Sequence, residues 1–430
     1  MAVILERVSA TDMPAEQGEL SSRAAAEAYV GGVCFKLGPP TLIGAELEWL
    51  TAAGGGERPA PSDLAAVLGP HAPVSIAPGS PALALPAGSR VTVEPGGQIE
   101  LSSAPFADAA DLEAGLRADA GRLRELLAAG GIDMIAAAAD DRRPAQRLLL
   151  LPRYQAMERC FTGIGPFGKL MMCNTAATQV SVDAGADPAE VAARWTALYT
   201  LAPALIAAFA CSPRLYGAPE GGWASQRMRT WLRLDPARTR PPVADWPDPV
   251  SGYAHWALDV PLLCVRNADP AADWAAPPGA TFADWLDGAV DDEIGRRPEP
   301  ADLDYHLTTL FPPVRASGHL EVRYLDTQPN DSWSAPIHVV DALLSTPEVT
   351  AEATALAAPA ADRWQQAARC ALADPRLRAV ATDVLDLATA HARSSWAAEQ
   401  LAAATRRCRA GLAPHEVTGP PPRRSRRTRS

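Results

Sequence analysis

Apolar and polar residues alternate along four stretches of the chain, and each alternation predicts a β-strand with one apolar and one polar face. The stretches cover residues 42–50, 91–103, 178–183 and 320–324. The second of them predicts a β-hairpin, because a Pro-Gly-Gly turn separates a β-branched run from a second alternating run. The pattern therefore indicates an antiparallel sheet with one polar face.

A period of 3.6 residues predicts most other elements as helices. The clearest helix covers residues 107–129 and is stopped by two glycines. Asp187-Pro188 is typical of a helix start and opens a long apolar helix that reaches about residue 210. Residues 132–138 and 147–151 are predicted to be buried strands. Further helices are predicted at residues 19–29, 62–68, 153–162, 300–310 and, with breaks, 346–411.

Carboxylates follow the polar faces of the predicted strands, at Glu46, Glu48, Glu94, Glu100 and Glu321. One acidic strand alone is typical of the solvated face of an antiparallel sheet. If the four strands pair into one sheet, however, all five carboxylates crowd together. Like charges at that distance must take up protons or bind cations. Mg²⁺ prefers oxygen ligands and is commonly bound together with nucleotide phosphates, so the pattern predicts a magnesium and nucleotide site.

Residues 163–170 nearly match the glycine-rich phosphate-binding loop of nucleotide-hydrolysing proteins. That loop needs a hydroxyl after its lysine and a hydrophobic strand before its first glycine. Here Leu170 replaces the hydroxyl, and the preceding residues are typical of a helix. We therefore expect a flexible loop with no role in phosphate binding.

Composition excludes several classes of partner. The 430 residues carry a formal net charge of −11, which argues against nucleic acid or an anionic membrane as the main partner. The seven cysteines are odd in number and scattered, as expected for reduced thiols in a cytoplasmic protein. The N-terminal residues lack the apolar core of a signal peptide, and the longest apolar run, 199–211, is too short to span a bilayer. We expect a soluble, cytoplasmic protein.

The composition changes near residue 414, where proline and arginine become frequent and apolar periodicity ends. Such a segment cannot bury enough apolar surface to fold, so residues 414–430 are predicted to be disordered. Residues 1–413 are then expected to form a single catalytic domain. Arginines in the tail could contact nucleic acid, but a solubilising tail is the favoured interpretation.

Several motifs taken together resemble the glutamate–cysteine ligases. They are Glu46-x-Glu48 and residues 93–102, 178–183, 304–315 and 320–326. Their order and spacing are most similar to those of the actinobacterial EgtA type, which feeds ergothioneine biosynthesis, and the plant-type ligases share the same motifs. The resemblance runs from about residue 44 to residue 326, and less strictly to about residue 411. Ser181 departs from it, because the family usually has asparagine there.

The resemblance implies an α+β fold of the glutamine-synthetase-like type, with a curved, largely antiparallel sheet, outer helices and an active site on the concave face. It also implies the reaction. ATP phosphorylates the γ-carboxylate of glutamate, and the amine of cysteine attacks the γ-glutamyl phosphate to give γ-glutamylcysteine, ADP and phosphate. The expected ligands are glutamate, cysteine, ATP and Mg²⁺, and we expect a monomer or weak oligomer without nucleic-acid or membrane partners.

The same resemblance implies roles for individual residues. The five carboxylates would be metal ligands that hold Mg²⁺ between ATP and glutamate. Glu321 and Arg323 would form the catalytic pair, with Arg323 steadying the transferred phosphoryl group. Gln179 stands where some relatives carry a metal-binding histidine, so it would contact metal or nucleotide.

Three further residues are expected at the substrates. Arg227 matches a family arginine that grips glutamate, and Tyr253 and Trp223 would form the wall near the second amino acid. Two alternatives to cysteine ligation stay open. The protein could be a γ-glutamyl ligase for a different amine, or a catalytically silent relative that acts as a scaffold through its basic tail. The intact acidic set favours an enzyme.

Overall fold

A computed structural model describes residues 22–240, 246–267, 269, 272–330 and 332–417. A seven-stranded sheet lies at its centre, with strand order β2-β3-β1-β5-β7-β6 and with β4 paired to the end of β1. All pairs of these strands are antiparallel. The strands are β1 Ile43–Ala52, β2 Arg90–Val93, β3 Ile99–Ser102, β4 Asp133–Ile135, β5 Ala177–Val182, β6 Val314–Ala316 and β7 Leu320–Asp326.

The four stretches with alternating pattern therefore pair into one sheet, as predicted. The register sets Glu48 opposite Glu100 across β1 and β3, and Glu46 opposite Gln179 across β1 and β5. On the far side of β5, Ser181 faces Glu321 of β7. Segments that are far apart in the chain thus bring their polar faces to the same side of the sheet, and the α+β prediction is confirmed.

Helices surround this sheet over the rest of the described chain. They are α1 Arg23–Cys34, α2 Pro61–Leu68, α3 Ala109–Ala129, α4 Pro152–Ile164, α5 Phe167–Asn174, α6 Pro188–Phe209, α7 Gln226–Leu234, α8 Pro236–Thr239, α9 Pro249–Asp259, α10 Phe282–Leu286, α11 Asp291–Ile294, α12 Pro300–Leu307, α13 Ser334–Leu343, α14 Pro347–Ala357, α15 Trp364–Cys370, α16 Pro375–Ala390 and α17 Ser395–Arg409. The predicted helix 19–29 is described from residue 22 onward and extends to Cys34.

Helix α6 forms the middle of the core. Asp187 caps its N-terminus by accepting hydrogen bonds from the backbone of Ala189 and Glu190, as the Asp-Pro start predicts. Over the described residues it is the one helix long and apolar enough to cross a membrane, yet 83% of its apolar window is buried inside the protein. It packs against β7 and helices α14, α15 and α16, so it is a core helix.

One of the two predicted buried strands is wrong, and the other is shorter and more exposed than predicted. Residues 147–151 form no strand, because the backbone amides of Leu148 and Leu149 both donate to the carbonyl oxygen of Pro95 in the hairpin turn. Of residues 132–138, only Asp133–Ile135 is a strand, and its two end residues are exposed. Ile132 and Leu149 nevertheless pack in the main hydrophobic core.

The predicted flexible loop at 163–170 is also wrong. Helix α4 ends at Ile164 and helix α5 begins at Phe167, so only a short connection separates them. The Lys169 ammonium pairs with Glu158 at 2.8 Å. Most of this segment is therefore helical, and its expected lack of a role in phosphate binding stays a prediction. In the predicted tail, Pro414–Glu416 forms a single turn, and residues 418–430 lie outside the described part.

Candidate active site

The site is built on the polar face of the sheet, where β3 and β1 carry most of its carboxylates. Thr92 Oγ donates to Glu100 Oε1 at 2.6 Å. Ser102 Oγ donates to the same Glu100 oxygen at 3.2 Å and to Glu46 Oε1 at 3.3 Å. Hydroxyl groups on β2 and β3 thus hold the side chains of Glu100 and Glu46 by hydrogen bonds. These short polar residues alternate with Leu101 and other apolar residues that face the core.

Gln179 connects the acids of β1 to strand β5. Its side-chain Nε2 donates to Glu46 Oε2 at 2.9 Å and to Glu48 Oε1 at 3.2 Å. The pairing of β5 with β7 is irregular between Thr178 and Val180, which brackets this glutamine. Such an irregularity re-aims a side chain in a sheet. The other oxygen of Glu48 accepts from the backbone amide of Ala177 at 2.7 Å, so both oxygens of this carboxylate are held.

Two arginines hold Glu321 on strand β7. Arg315 Nε donates to Glu321 Oε2 at 2.6 Å, and Arg323 Nη1 donates to Glu321 Oε1 at 2.8 Å. Burial alone would raise the pKa of this carboxyl group, but the two guanidinium groups hold the pKa of Glu321 well below its usual range. Glu321 is therefore ionised in the folded protein.

Three of the four remaining carboxylates have the opposite electrostatics. The fourth is Glu100, where burial raises the pKa but charge-stabilising contacts, the Thr92 hydroxyl among them, lower it overall. Burial, with repulsion from Glu100 and Glu321, raises the pKa of Glu46 from 4.5 to about 7. Burial and the nearby Glu100 and Glu94 raise the pKa of Glu48 well above 4.5. The pKa of Glu94 is raised by burial and by Glu100 as well. Burial and repulsion between neighbouring acids therefore disfavour the charged forms of Glu46, Glu48 and Glu94.

A cavity opens against this face of the sheet. Its polar wall includes Glu48, Glu94, Gln98, Glu100, Thr175, Gln179, Arg227 and Arg323. Its apolar wall includes Met157, Met171, Met172, Trp231 and Phe311. Glu46 and Glu321 lie two residues from Glu48 and Arg323 on the same strand faces, and they extend the polar surface beyond the cavity. Three of the five predicted acids thus line one cavity, and the other two adjoin it.

Arg227 reaches the cavity from the first turn of helix α7. Its Nη2 donates to the backbone oxygen of Arg323 at 2.6 Å, and its Nη1 lies 3.9 Å from Asp326. The guanidinium groups of Arg227 and Arg323 each lie 5.4 Å from the ring centre of Trp231. Helix α7 therefore brings Arg227 and Trp231 to the cavity, where they meet Arg323 of strand β7.

Two residues predicted for the substrate wall lie elsewhere. Tyr253 packs in the aromatic core against Trp195, and its hydroxyl donates to Ala316 O at 3.4 Å. Trp223 stacks with Arg229 and Arg233 instead of lining the cavity. Both positions match the family motifs only loosely, and neither lies in a periodic pattern that predicts the direction of its side chain.

Sequence reasoning missed three residues of this site. Trp231 lies four residues after Arg227 on one helix, and that spacing could have identified it. Arg315 is the last residue of the 304–315 motif, and its bond to Glu321 depends on the pairing of β6 with β7. Gln98 lies on the same hairpin face as Glu100, and its Nε2 donates to the backbone oxygens of Met172 and Thr175.

The donor set suits a hard divalent cation, because its charged groups are carboxylates and its neutral groups include amide oxygens. Gln98 Oε1 and Gln179 Oε1 are buried at the cavity and accept no hydrogen bond from any residue that the structure describes. Within that same part of the chain, no three acidic, histidine or cysteine side chains are already arranged as a metal site. The chemistry fits Mg²⁺, and the metal ligands stay a prediction.

Comparison with known proteins decides the family. The sequence profile of the glutamate–cysteine ligase family 2 matches residues 42–419. This chain belongs to glutamate–cysteine ligase family 2. The matched range contains every strand of the sheet and all the acids described above. The resemblance to the glutamate–cysteine ligases is therefore confirmed.

Individual members of the glutamate–cysteine ligase family are also similar. The ligase EgtA of Mycolicibacterium smegmatis is 38% identical over 381 residues, which cover 87% of this chain and 86% of that protein. EgtA of Mycobacterium tuberculosis is 38% identical over 376 residues, covering 86% of this chain and 84% of that protein. The chloroplastic ligase of Medicago truncatula is 31% identical over 243 residues, covering 56% of this chain and 47% of that protein.

Among solved structures, the glutamate–cysteine ligase of Francisella tularensis in complex with AMP is similar with a TM-score of 0.46 and 13% identity, covering 86% of this chain and 82% of that chain. The ligase PafA in complex with the ubiquitin-like protein Pup is similar with a TM-score of 0.42 and 11% identity, covering 86% of this chain and 64% of that chain.

Proposed function

We propose that this protein joins the γ-carboxylate of L-glutamate to the amine of L-cysteine at the expense of ATP. ATP transfers its γ-phosphoryl group to glutamate, cysteine displaces phosphate from the γ-glutamyl phosphate, and γ-glutamylcysteine, ADP and phosphate are released. The observation that carries the proposal is the meeting of Glu48, Glu94 and Glu100 with Arg227 and Arg323 around one cavity. The similarity to the two mycobacterial EgtA proteins supports it.

The arrangement suits phosphoryl transfer. A carboxylate is a poor electrophile, and its phosphorylation depends on positioning and charge neutralisation more than on covalent help from the protein. Glu46, Glu48, Glu94, Glu100 and Glu321 would hold Mg²⁺, which would supply positive charge to neutralise phosphate oxygens. Gln179 keeps two of these acids together and offers an amide oxygen to metal or nucleotide.

Two arginines supply the positive charge of the cavity. Arg323 lines the cavity and is oriented by Glu321, so its guanidinium group can stabilise negative charge that develops on the transferred phosphoryl group. Arg227 extends into the same cavity with its Nη2 fixed on a backbone oxygen. We assign it to a carboxylate of substrate glutamate, because a guanidinium group matches carboxylate geometry.

We further propose that residues 1–413 contain the whole catalytic unit and that the protein acts in the cytoplasm as a monomer or weak oligomer. The similarity to EgtA proteins also supports a role in supplying γ-glutamylcysteine for ergothioneine biosynthesis. A chain that ends at Val417 should keep full turnover. Loss of turnover on that truncation would contradict the domain proposal.

The experiment that tests the function measures phosphate release with ATP, Mg²⁺, glutamate and a panel of amino acids, and identifies the product by mass spectrometry. We expect cysteine to exceed serine and alanine in kcat/KM by about tenfold or more, since one well-recognised group is worth that much discrimination. Preference for another amine would make the protein a different γ-glutamyl ligase. No turnover with any amine would favour the scaffold alternative.

A further inference from the structure

Arg58 lies in the segment between β1 and helix α2, outside the cavity, and its side chain is only 7% exposed. Its Nη1 donates to Gly96 O at 2.8 Å and to Cys173 O at 3.0 Å. Its Nη2 donates to Asn174 Oδ1 at 2.7 Å and pairs with Asp140 at 3.2 Å. One guanidinium group therefore joins the hairpin turn to the C-terminal end of helix α5.

The turn that Arg58 holds has little room to move. A Cβ atom added at Gly96 would overlap the backbone of Cys173, so the turn packs directly on the helix end. Gly97 has a φ of 85°, which other residues adopt only with strain. Its carbonyl oxygen accepts from Thr51 Oγ at 2.6 Å, which fixes the turn to strand β1.

A second arginine completes this brace. Arg143 Nε donates to Asp140 Oδ2 at 2.7 Å, and Arg143 Nη1 donates to Thr51 O at 2.7 Å. Asn174 Nδ2 in turn donates to Arg143 O at 2.8 Å. The carboxylate of Asp140 is thus shared between two guanidinium groups, and the network connects β1, the hairpin turn and helix α5.

The turn itself carries two residues of the cavity. The backbone amide of Glu94 donates to Gln98 O at 2.8 Å and the amide of Gly97 donates to Glu94 O at 2.8 Å, which closes the turn. The side chains of Glu94 and Gln98 both line the cavity. A shift of the turn away from helix α5 would therefore move Glu94 relative to Glu48 and Glu100.

We propose that Arg58 is a positioning residue that fixes the hairpin turn on helix α5 and so holds Glu94 in place as a magnesium ligand. The inference rests on the proposed function of the acidic cluster. Lysine at this position keeps the charge but cannot span Gly96, Cys173 and Asp140 at once, because it lacks the planar fork of donors.

The test compares Arg58→Lys with Arg194→Lys. Arg194 is also buried and also donates to two backbone oxygens, those of Asp183 and Leu344, but it lies on helix α6 and does not line the cavity. Mg²⁺ affinity is measured by isothermal titration calorimetry in the presence of a non-hydrolysable ATP analogue. We expect Arg58→Lys to weaken Mg²⁺ binding by about tenfold, as for other residues that orient metal ligands, and Arg194→Lys to change it by less than about twofold.

A double-mutant cycle shows whether Arg58 acts through Glu94. In a Glu94→Gln background, Arg58→Lys should weaken Mg²⁺ binding by less than about twofold, because coupled residues are not additive. Gly96→Ala should push the turn off the helix and weaken Mg²⁺ binding as Arg58→Lys does. It replaces Arg58→Lys in the test if Arg58→Lys does not fold. Equal effects of Arg58→Lys in both backgrounds, or unchanged Mg²⁺ binding in both variants, would overturn the proposal.

The two proposals can fail separately. Calorimetry reports on the position of Glu94 even in a protein that ligates nothing. If Arg58→Lys weakens Mg²⁺ binding but the wild-type protein joins no amino acids, only the proposed ligase activity is wrong. If the wild-type protein is an active ligase but Arg58→Lys binds Mg²⁺ normally, only the positioning role of Arg58 is wrong.

Discussion

Glu46 on strand β1 and Gln179 on strand β5 face each other in register, and the Gln179 amide donates to Glu46 Oε2 at 2.9 Å. The same amide nitrogen also reaches Glu48 Oε1 at 3.2 Å. A neutral group with two donors can sit between two carboxylates without adding charge, which lets both acids stay close in a buried place.

Gln179→Met should therefore damage the site more than its small change in volume suggests. Removing the donors leaves Glu46 and Glu48 facing each other without a bridge, which we expect to cost about 1–3 kcal/mol in the free energy of unfolding. We expect kcat/KM for glutamate to fall by about tenfold or more, because Glu46 and Glu48 are no longer held in position. Thermal melts and phosphate-release kinetics measure the two effects.

The matched control is Gln400→Met. Gln400 is a buried glutamine on helix α17, and it does not line the cavity. It should leave kcat/KM unchanged. If the two substitutions reduce turnover equally, the bridging role of Gln179 is wrong.

Glu48→Gln should abolish turnover while the protein stays folded. The amide keeps the shape of the side chain, and its oxygen can still accept the hydrogen bond from Ala177. Because burial and like charges raise the pKa of Glu48, removing its charge relieves repulsion, and the metal-free melting temperature should not fall. We expect kcat to drop by about a hundredfold or more, as when a charge-stabilising group is lost. Near-normal kcat would remove Glu48 from the metal ligands.

The stability of the metal-free protein should depend on pH through Glu46. Its pKa is about 7 in the folded protein and 4.5 ordinarily, so the folded state keeps a proton that the unfolded chain has lost. The stabilising contribution of this group is present below the unfolded pKa and is lost as the pH rises through the folded pKa.

Melting temperatures in EDTA should therefore fall between about pH 5 and about pH 8, and they should fall less in Glu46→Gln. The difference between the two proteins isolates this group from other titrations. Added Mg²⁺ should reduce the loss at the higher pH, because it replaces the proton as a counter-charge. Parallel curves for the two proteins would show that Glu46 does not titrate in this range.

Two substitutions distinguish the catalytic role proposed for Arg323 from a structural role of Arg315. They are Arg323→Lys and Arg315→Lys. Both arginines bind Glu321, but Arg323 lines the cavity whereas Arg315 is not among its lining residues. We expect Arg323→Lys to lower kcat by about a hundredfold with KM for glutamate nearly unchanged, since its fork of donors acts on transferred charge. Arg315→Lys should mainly lower the melting temperature. A larger loss of kcat in Arg315→Lys than in Arg323→Lys would show that Arg315, not Arg323, has the catalytic role.

The sheet could be predicted because its strands have a period that differs from that of a helix. In β1 and β7, apolar residues at every second position face the core, so both the strands and the faces of Glu48 and Arg323 follow from the sequence. The long helices α3 and α6 were equally clear, with a Gly-Gly stop and an Asp-Pro start.

Short apolar runs misled the prediction. Residues 147–151 have the composition of a strand, but their amides bond to the hairpin turn, and no local pattern reveals that tertiary partner. Glycines at 163, 165 and 168 suggested a loop, although the helices on either side are held by packing of buried Phe161 and Leu170. Tertiary contacts overrode local preference in both places.

The cavity walls were harder to predict than its acids. Trp231 and Met172 come from helices whose directions depend on how they dock, and Arg58 acts across segments that are distant in the chain. Alternation within a strand reveals which side chains share a face, but nothing local to a helix reveals which neighbour it meets.

The strand order has a consequence for biosynthesis. Strand β5 lies between β1 and β7, so the middle of the sheet joins segments that leave the ribosome far apart in time. Until Leu320–Asp326 emerges, the nascent chain presents an unpaired β5 edge, and such edges invite wrong partners. A polypeptide released early would lack the Glu321–Arg323 pair along with the strand that closes this edge, so unfinished chains should be both inert and prone to aggregate.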